Sequence, residues 1–446
     1  MKLFGTDGIR GIAGEMLSAG LCVRVGMALG EVIRRRGDVP LALIAEDTRE
    51  SSDALCAAIA SGLAASGVDV YILGVISTPA VAYLTRTLSA SAGVMISASH
   101  NPYEYNGIKI FGSDGKKLSD EDEELIEELT DEGAPLGKPE KFGKICVKRE
   151  LSSLYTDYIK GTYGVSLSGM KIAIDSANGA AHSAAVEVFS SLSAELFTLP
   201  DIPNGRNVNL ECGSTSPERL ARLTQAEGCD FGIALDGDGD RCIMCDSCGR
   251  IISGDNILAY LAQEMQKSGE LADSTVVATV MSNLGLEARL SELGIRLMRA
   301  SVGDRYVLAM MEEGGYKLGG EESGHIIIRD KATTGDGLLT ALTVLSKIKK
   351  GGAPYPALSE NIQKYPQYNE SVAAGDEEKR IFLESKKIKE IIAKYEKEIS
   401  VCGRLLVRPS GTEPKIRVMT EGADASLALK VCQGCAEEIR RALTRA

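Results

Sequence analysis

Long apolar runs are missing from this sequence of 446 residues. None approaches the roughly 18 residues that a membrane-spanning helix needs. The opening residues, Met1 to Gly8, also lack the apolar core of a signal peptide. We therefore expect a cytoplasmic protein that has no membrane partner.

Basic residues are outnumbered by acidic residues. The chain has 50 lysines and arginines against 62 aspartates and glutamates, which gives a formal net charge of −12. Such a surface repels polyanions at long range, and this argues against binding to nucleic acid or to an anionic membrane surface. An anionic substrate would have to meet a local basic pocket.

The eleven cysteines do not indicate a disulfide framework, because their number is odd and no signal peptide precedes them. The spacing Cys242-x-x-Cys245-x-x-Cys248 also occurs in zinc and iron–sulfur sites. Here residues 242–246 resemble a strand, in which residues three apart point to opposite faces. We favour a structural role for these thiols, with metal binding as the alternative.

Short apolar runs alternate with longer helical patterns, as in Leu41 to Ala45 followed by Asp53 to Ser66. This alternation is typical of βαβ units and of a mostly parallel sheet. Similar units begin near Lys171 and Thr275, whereas strands and a charged helix over residues 377–396 follow Pro366. We expect an α/β protein with three α/β domains, whose sheets are mostly parallel, and a smaller C-terminal α+β domain. The predicted boundaries are 1–150, 151–252, 253–365 and 366–446.

The motif Asp236-Gly237-Asp238-Gly239-Asp240-Arg241 follows a strand-like run, at the end of a strand where α/β sheets place their ligands. The glycines allow the backbone to curl and to direct three carboxylates at one point. Such a cluster is costly without a cation, and hard oxygen ligands suit Mg²⁺. An EF-hand is excluded, because its sixth and twelfth positions would be Arg241 and Ser247. The sequence therefore predicts a metal site at Asp236, Asp238 and Asp240.

The motif Ser97-Ala98-Ser99-His100-Asn101-Pro102 also follows an apolar strand and places a hydroxyl beside an imidazole. A serine and a histidine alone would indicate only a local turn. With Lys109 close by and a separate metal loop, the pattern suits phosphoryl transfer, in which the protein mainly neutralises charge and aligns a phosphate.

Two further loops offer groups for a sugar phosphate. Residues 408–417 carry Arg408, Ser410, Gly411, Thr412 and Arg417 around a glycine turn, which suits a phosphate. Residues 319–325 (Gly-Gly-Glu-Glu-Ser-Gly-His) carry carboxylates and a hydroxyl that could bind sugar hydroxyls, although a polar hairpin turn has the same composition.

Over essentially the whole chain, these motifs resemble the α-D-phosphohexomutase family and, within it, the phosphoglucosamine mutases. The phosphoserine, metal, sugar and phosphate loops occur in the family's order. Further similar segments begin at Phe4, Cys212, Met281 and Arg299. One departure is Glu322, where phosphoglucosamine mutases usually have glutamine and mannose or glucose mutases tend to have methionine.

The resemblance implies four domains around a central cleft, three of them α/β domains with mixed sheets, and a magnesium-dependent isomerase that acts on a sugar phosphate. We expect a monomer or a homodimer. Phosphorylated Ser99 would donate its phosphoryl group to glucosamine 6-phosphate and form a bound sugar 1,6-bisphosphate. This intermediate would reorient and return its other phosphate to Ser99, which gives glucosamine 1-phosphate, a precursor of UDP-N-acetylglucosamine. Mg²⁺ would be held by Asp236, Asp238, Asp240 and a phosphoserine oxygen. The other implied roles are charge neutralisation by Arg10, Lys109 and Arg241, proton transfer by His100 or Lys109, ring contacts by Glu321 and Ser323, and phosphate binding by Arg408, Ser410, Gly411, Thr412 and Arg417.

Three rival interpretations remain. A phosphomannomutase or phosphoglucomutase would use the same chemistry on another sugar. A phosphatase that passes through a phosphoserine would share Ser99 and the metal loop but would release inorganic phosphate. A sugar-phosphate sensor would have no need of a serine beside a metal site.

Overall fold

The computed structural model describes residues 3–5, 7–131, 133–199, 202–410 and 414–444. The chain divides into two compact units. The first unit contains residues 1–281 and 294–361, and the second contains residues 282–293 and 362–446. Within the described residues, three sheets lie in the first unit and one lies in the second.

The first sheet has seven strands in the order β1-β2-β6-β5-β3-β4-β7. Strands β3, β4, β5 and β7 are parallel, and β1, β2 and β6 add antiparallel pairs at one side. Its elements are β1 (Phe4–Gly5), β2 (Gly8–Ile12), α1 (Ala19–Arg36), β3 (Leu41–Glu46), α2 (Ser52–Ala65), β4 (Asp69–Val75), α3 (Thr78–Thr87), β5 (Ala92–Ile96), β6 (Tyr105–Gly112), α4 (Asp120–Thr130) and β7 (Ile145–Val147).

Helices α1 and α2 pack closely because each has a glycine at the contact. A Cβ on Gly26 would lie 2.4 Å from the carbonyl oxygen of Ile59, and a Cβ on Gly62 would lie 2.2 Å from that of Val23. Both distances are shorter than any real carbon contact, so only glycine fits. Buried aliphatic side chains from α1, α2 and the strands, such as Val25 and Ile44, form the core of this region.

The second sheet has the order β12-β11-β10-β8-β9, and the third has the order β14-β13-β15-β16. Their elements are α5 (Ser152–Gly161), β8 (Lys171–Asp175), α6 (His182–Ser191), β9 (Glu195–Thr198), α7 (Glu218–Ala226), β10 (Phe231–Leu235), β11 (Cys242–Asp246), β12 (Ile251–Ile252), α8 (Gly254–Lys267), β13 (Thr275–Thr279), β14 (Arg296–Ala300), α10 (Asp304–Gly314), β15 (Leu318–Gly320), β16 (Ile326–Ile328) and α11 (Gly337–Gly351). Short 3₁₀ turns lie at Arg149–Leu151, Ala272–Ser274 and Leu358–Glu360. In both sheets parallel strands pair with antiparallel strands at one side.

The second unit is a three-stranded antiparallel sheet, β17-β19-β18, with helices. Its elements are α9 (Leu284–Glu292), β17 (Gln367–Ala373), α12 (Asp376–Glu384), α13 (Lys386–Ile399), β18 (Gly403–Pro409), β19 (Lys415–Gly422) and α14 (Ala425–Thr444). The fully buried Glu421 joins α9 to the sheet: it pairs with Arg404 at 2.6 Å and accepts hydrogen bonds from Asn283 Nδ2 and the Leu284 N–H. The predicted class, α/β with mixed sheets and a small C-terminal α+β part, is confirmed.

The charged helix predicted over residues 377–396 is in fact two helices. The break lies at Ser385, whose backbone is extended and whose hydroxyl accepts the Ile388 N–H. Serine favours this capping geometry over the helix interior. In the part of the chain that the structure describes, no helix combines the length and the apolar character needed to cross a membrane.

Candidate active site

The predicted metal loop directly follows β10, and its three carboxylates converge. Asp236, Asp238 and Asp240 are buried and offer oxygen atoms that all lie within 4.8 Å of one another. Oδ1 of Asp238 and Oδ1 of Asp240 are buried and have no hydrogen-bond partner among the described residues. Burial, together with repulsion from Asp240 and Asp238, raises the pKa of Asp236 well above its usual value. Buried, unpartnered oxygen ligands in this arrangement fit a divalent cation.

Three backbone N–H groups from separate segments hold this loop. The Ala180 N–H donates to the first carbonyl oxygen of residues 237–239 at 2.8 Å, and the Thr78 N–H donates to the second at 2.8 Å. The Gly337 N–H donates to the third at 3.0 Å. Thr78 and Gly337 are the first residues of α3 and α11. The positive ends of two helix dipoles therefore point at the acidic loop and reduce its negative potential.

Ser99 lies beside the loop and has an unusual backbone. Its Oγ donates to Asp236 Oδ2 at 2.7 Å, and it lies 3.4 Å from Nδ1 of His100. The φ angle of Ser99 is +53°, in the left-handed region that side chains other than glycine rarely adopt. The structure thus brings together the serine, histidine and carboxylate that the sequence placed in two separate motifs.

Lys109 is buried between carboxylates. Its Nζ lies 2.7 Å from Asp238 Oδ2, 3.3 Å from Asp240 Oδ2 and 3.2 Å from Asp7 Oδ2. Burial opposes its charge, yet these carboxylates raise its pKa well above the usual value, so Lys109 remains an ammonium. An ammonium cannot accept a proton.

The pKa of His100 is shifted in the direction that favours the neutral form, unlike that of Lys109. Burial and the nearby charges of Arg241 and Arg10 lower its pKa to about 4. The imidazole is therefore neutral near pH 7 and able to accept a proton. Of the two bases that the sequence left open, this geometry favours His100.

Arg10 and Arg241 flank the same cluster. Arg10 pairs with Asp7, and the Arg241 backbone N–H donates to Asp236 Oδ1 at 3.2 Å. The Nε atoms of both arginines are buried and have no hydrogen-bond partner within the described part of the chain. Two buried N–H donors without acceptors, beside a serine hydroxyl, suit an anion with several oxygens.

The sequence analysis missed a closed circuit of ionisable groups around the site. Starting at Lys109, the circuit runs through Asp240, His325, Asp304, Lys117 and Asp7. The contacts of His325 with Asp240 and with Asp304 are both 3.6 Å, and Lys117 lies 2.6 Å from Asp304 and pairs with Asp7. These residues come from five separate segments of the chain. Lys109, Asp240 and His325 belong to predicted motifs, whereas the sequence analysis assigned no role to Asp7, Lys117 or Asp304.

The protonation of His325 is set by two opposing influences. Against the effect of burial, Asp240 and Asp304 raise its pKa to about 9, which favours an imidazolium. The Gly335 N–H, however, donates to Nε2 at 3.0 Å, and this requires Nε2 without hydrogen. Because the Gly335 contact has normal hydrogen-bond length and both carboxylate contacts are longer, we assign a neutral ring whose Nδ1–H faces Asp240.

The sugar loop joins β15 to β16, as predicted. Glu321 accepts the Gly303 N–H at 3.2 Å and the Ser323 hydroxyl at 3.1 Å, and it lies close enough to Arg241 to raise the pKa of that arginine. Glu321 and Ser323 are both half-buried. The loop is thus connected to the cluster around Ser99.

The predicted phosphate loop lies in the second unit. Arg408 and Arg417 are directly opposite each other on β18 and β19. Burial and repulsion from Arg417 lower the pKa of Arg408. Lys379 adds a third cation, because its Nζ donates to the Ser410 carbonyl at 2.7 Å. Gly411 and Thr412 lie outside the described residues.

The cysteine motif forms no metal site within the residues that the structure describes. Cys242 and Cys245 are buried in β11, whereas Cys248 is exposed. Cys245 Sγ lies 3.2 Å from Thr224 Oγ1, which is a structural contact. Asp236, Asp238 and Asp240 form the only cluster with metal-ligand geometry among the described residues.

Comparison with protein families gives four matches in sequence order. They are domains I, II, III and the C-terminal domain of phosphoglucomutase/phosphomannomutase, at residues 1–136, 153–249, 253–366 and 372–438. The phosphoglucosamine mutase of Clostridium acetobutylicum is 45% identical over 443 residues, which cover 99% of both chains.

Solved structures agree with this match. A phosphoglucomutase/phosphomannomutase family protein from Burkholderia thailandensis is 25% identical, with a TM-score of 0.83 over 99% of this chain and 98% of that one. The N-acetylphosphoglucosamine mutase of Aspergillus fumigatus, solved with GlcNAc-6P and magnesium, is 18% identical, with a TM-score of 0.65 over 99% and 96% of the two chains. At that identity, it shows a shared fold only.

Proposed function

Because the chain belongs to the phosphoglucomutase/phosphomannomutase family and is similar to phosphoglucosamine mutases over its whole length, we propose that this isomerase interconverts glucosamine 6-phosphate and glucosamine 1-phosphate. The observation that carries this proposal is the set of buried, unpartnered atoms around Ser99. Nε of Arg10 and Nε of Arg241 suit a phosphate, and Oδ1 of Asp238 and Oδ1 of Asp240 suit a cation.

Ser99 is the proposed phosphate carrier. The P–Oγ bond of phosphorylated Ser99 breaks while a bond forms from phosphorus to the free hydroxyl oxygen of the sugar. The hydroxyl proton moves to the neutral imidazole of His100, which passes the same proton to Ser99 Oγ as the serine is released. A sugar 1,6-bisphosphate results, and the same steps in reverse return its other phosphate to Ser99.

The cationic side chains keep their charge through both half-reactions. Lys109 is held as an ammonium by its carboxylate contacts, and Arg10 and Arg241 direct guanidinium groups at the transferring phosphate. Mg²⁺, held by Asp236, Asp238, Asp240 and a phosphoserine oxygen, would supply further charge neutralisation.

Substrate binding is assigned by residue chemistry. The Glu321 carboxylate would accept hydrogen bonds from ring hydroxyls, and the Ser323 hydroxyl would donate a hydrogen bond to a ring oxygen or hydroxyl. The phosphate that is not being transferred would be bound by Arg408, Ser410, Gly411, Thr412 and Arg417, because guanidinium groups recognise a dianion whichever end of the sugar carries it.

We also propose domain boundaries after residues 150, 252 and 365 and a state that is either a monomer or a homodimer. A cytoplasmic location would suit the eleven free thiols.

Intact mass before and after incubation with glucose 1,6-bisphosphate tests the carrier. We expect the protein to gain one phosphate and Ser99→Ala to gain none and to lose turnover, while the exposed Ser113→Ala behaves as the unaltered protein. Full turnover by Ser99→Ala would refute the proposal. Stoichiometric release of inorganic phosphate would instead indicate a phosphatase.

A second assay tests the sugar. It compares kcat/KM for the 6-phosphates of glucosamine, mannose and glucose. We expect the highest value for glucosamine 6-phosphate. A higher value for mannose or glucose 6-phosphate would assign the chain to the phosphomannomutase/phosphoglucomutase activities of the same family.

A further inference from the structure

We propose that Asn209 and Arg49 are positioning residues, which hold Ser99 in its left-handed conformation and thereby keep its phosphate on the transfer path and away from water. The inference rests on the proposed function, since it concerns the same serine. Neither residue belongs to the four motifs that define the family resemblance.

The need for such a device follows from the backbone of Ser99. A residue other than glycine with φ near +53° is less stable than in a right-handed conformation, because its Cβ crowds the following carbonyl oxygen. Relaxation of φ would rotate the Cα–Cβ bond and move Oγ away from Asp236, which it contacts at 2.7 Å. The left-handed state therefore persists only if neighbouring groups hold it.

Arg49 restrains the loop around Ser99 at four carbonyl groups. Its buried guanidinium uses all five N–H groups: Nε donates to Asp47 at 2.8 Å, and the other four donate to carbonyl oxygens of the loop that contains Ser99. Nη2 donates to the carbonyl oxygens of Ser99 and Asn101, each at 2.9 Å. Nη1 donates to the carbonyl oxygen of Tyr105 at 2.9 Å and to that of Pro102. The loop is thus fixed from one rigid, planar group.

The Asp47–Arg49 ion pair reaches both sides of Ser99. On the carbonyl side the contact is direct, through Arg49 Nη2. On the amide side, the Ser99 N–H donates to Ser97 Oγ at 3.0 Å, and Ser97 Oγ donates to Asp47 Oδ2 at 2.5 Å. Both peptide groups that define the backbone conformation of Ser99 are therefore connected to one buried pair.

Asn209 reaches the same carbonyl from the segment between β9 and α7. Its Nδ2 donates to the Ser99 carbonyl at 2.9 Å and to the Asn101 carbonyl at 3.2 Å. Both partners are acceptors, so the nitrogen of the amide must face them. Oδ1 of Asn209 is buried and has no hydrogen-bond partner in the described part of the chain. The position of the amide therefore satisfies its N–H donors and leaves its oxygen acceptor unsatisfied.

The experiment measures how phosphorylated Ser99 divides its phosphate between sugar and water. We expect Asn209→Ala to lower kcat about tenfold with little change in KM, because small displacements of reacting groups are costly in rate. Phosphate released per isomerisation should rise at least about threefold. Asn209→Asp, which places a carboxylate against two carbonyls, should have a larger effect. Asn204→Ala, an exposed position in the same segment, is the matched control and should leave both quantities unchanged.

The ratio of released phosphate to isomerised sugar separates positioning from general damage, since partial unfolding lowers both activities in proportion. An unchanged ratio in Asn209→Ala and Asn209→Asp would overturn this inference while leaving the proposed function intact. If the unaltered protein never acquires phosphate on Ser99, the proposed function fails and this inference fails with it.

Discussion

Lys109 Nζ lies 2.7 Å from Asp238 Oδ2, and this contact joins two segments that are 129 positions apart in sequence. The lysine is 1% exposed and also contacts Asp240 and Asp7. A buried cation among three carboxylates partly offsets their repulsion when no metal is bound. Lys109 and a divalent cation thus act on the same acidic loop.

Lys109→Met should therefore destabilise the protein most when Mg²⁺ is absent. Removing one partner from a buried charge pair typically costs about 3–5 kcal/mol. Added MgCl₂ should recover part of this loss, because the cation would replace the missing positive charge. Chemical denaturation with and without MgCl₂ measures the difference. Lys116→Met, which removes a partly exposed ion pair with Glu312, should cost less than about 1 kcal/mol in both conditions. An equal loss for Lys109→Met with and without MgCl₂ would contradict this explanation.

The titration of Glu46, which lies outside the active site, should make the stability of the protein depend on pH. Glu46 is buried at the end of β3, with Oε2 unpartnered among the described residues. Burial and repulsion from Asp53 and Asp47 raise its pKa to about 7, although Arg149 lowers it in part. Because the folded state binds this proton more tightly than the unfolded state, stability falls as pH rises from about 4.5 to about 7 and then levels off.

Glu46→Gln should remove this dependence, because the amide does not titrate. Relative to the unaltered protein, the variant should gain up to about 3 kcal/mol between pH 5 and pH 8, as measured by denaturation at each pH. Asp53→Asn is the control and should reduce the slope without abolishing it, since one of the repelling charges is lost. A constant difference between Glu46→Gln and the unaltered protein at all pH values would show that Glu46 titrates normally.

Much of the fold was predictable from local sequence. Strands β8 and β13 are short apolar or β-branched runs, and they begin at Lys171 and Thr275, where the sequence predicts the start of two α/β units. The metal loop was predictable because its three carboxylates are adjacent in sequence. The break at Ser385 was not, because the charged periodicity continues across it and only the capping hydroxyl marks it.

The surroundings of Ser99 could not be predicted in the same way. Asp304 and Lys117 are 187 positions apart, and Arg49 lies in a polar run without a recognisable motif. Their roles depend on which strand ends meet in space, which the sequence pattern does not specify. The left-handed φ of Ser99 is likewise imposed by distant donors and not by its own residue type.

The Ser385 break leads to a prediction of its own. Ser385→Ala removes the side-chain acceptor of the Ile388 N–H and should cost about 1 kcal/mol of stability. Ser385→Asp should retain the cap and most of the stability. Thermal or chemical denaturation of the full chain compares the two variants. Equal stability of Ser385→Ala and Ser385→Asp would show that the cap contributes nothing.

The pair Arg408 and Arg417 should show opposite effects on binding and on stability. Like charges directly opposite on neighbouring strands destabilise a sheet by up to about 1 kcal/mol, and burial together with this repulsion lowers the pKa of Arg408. Arg408→Met should therefore raise KM for the sugar phosphate at least about tenfold, because a charged phosphate contact is lost, while the protein without substrate becomes slightly more stable. Kinetics and denaturation of the same preparation measure both. Lys430→Met, on the exposed face of α14, should change neither. If Arg408→Met raised KM but also destabilised the protein, Arg408 would stabilise the fold, and the explanation by cross-strand repulsion would be wrong.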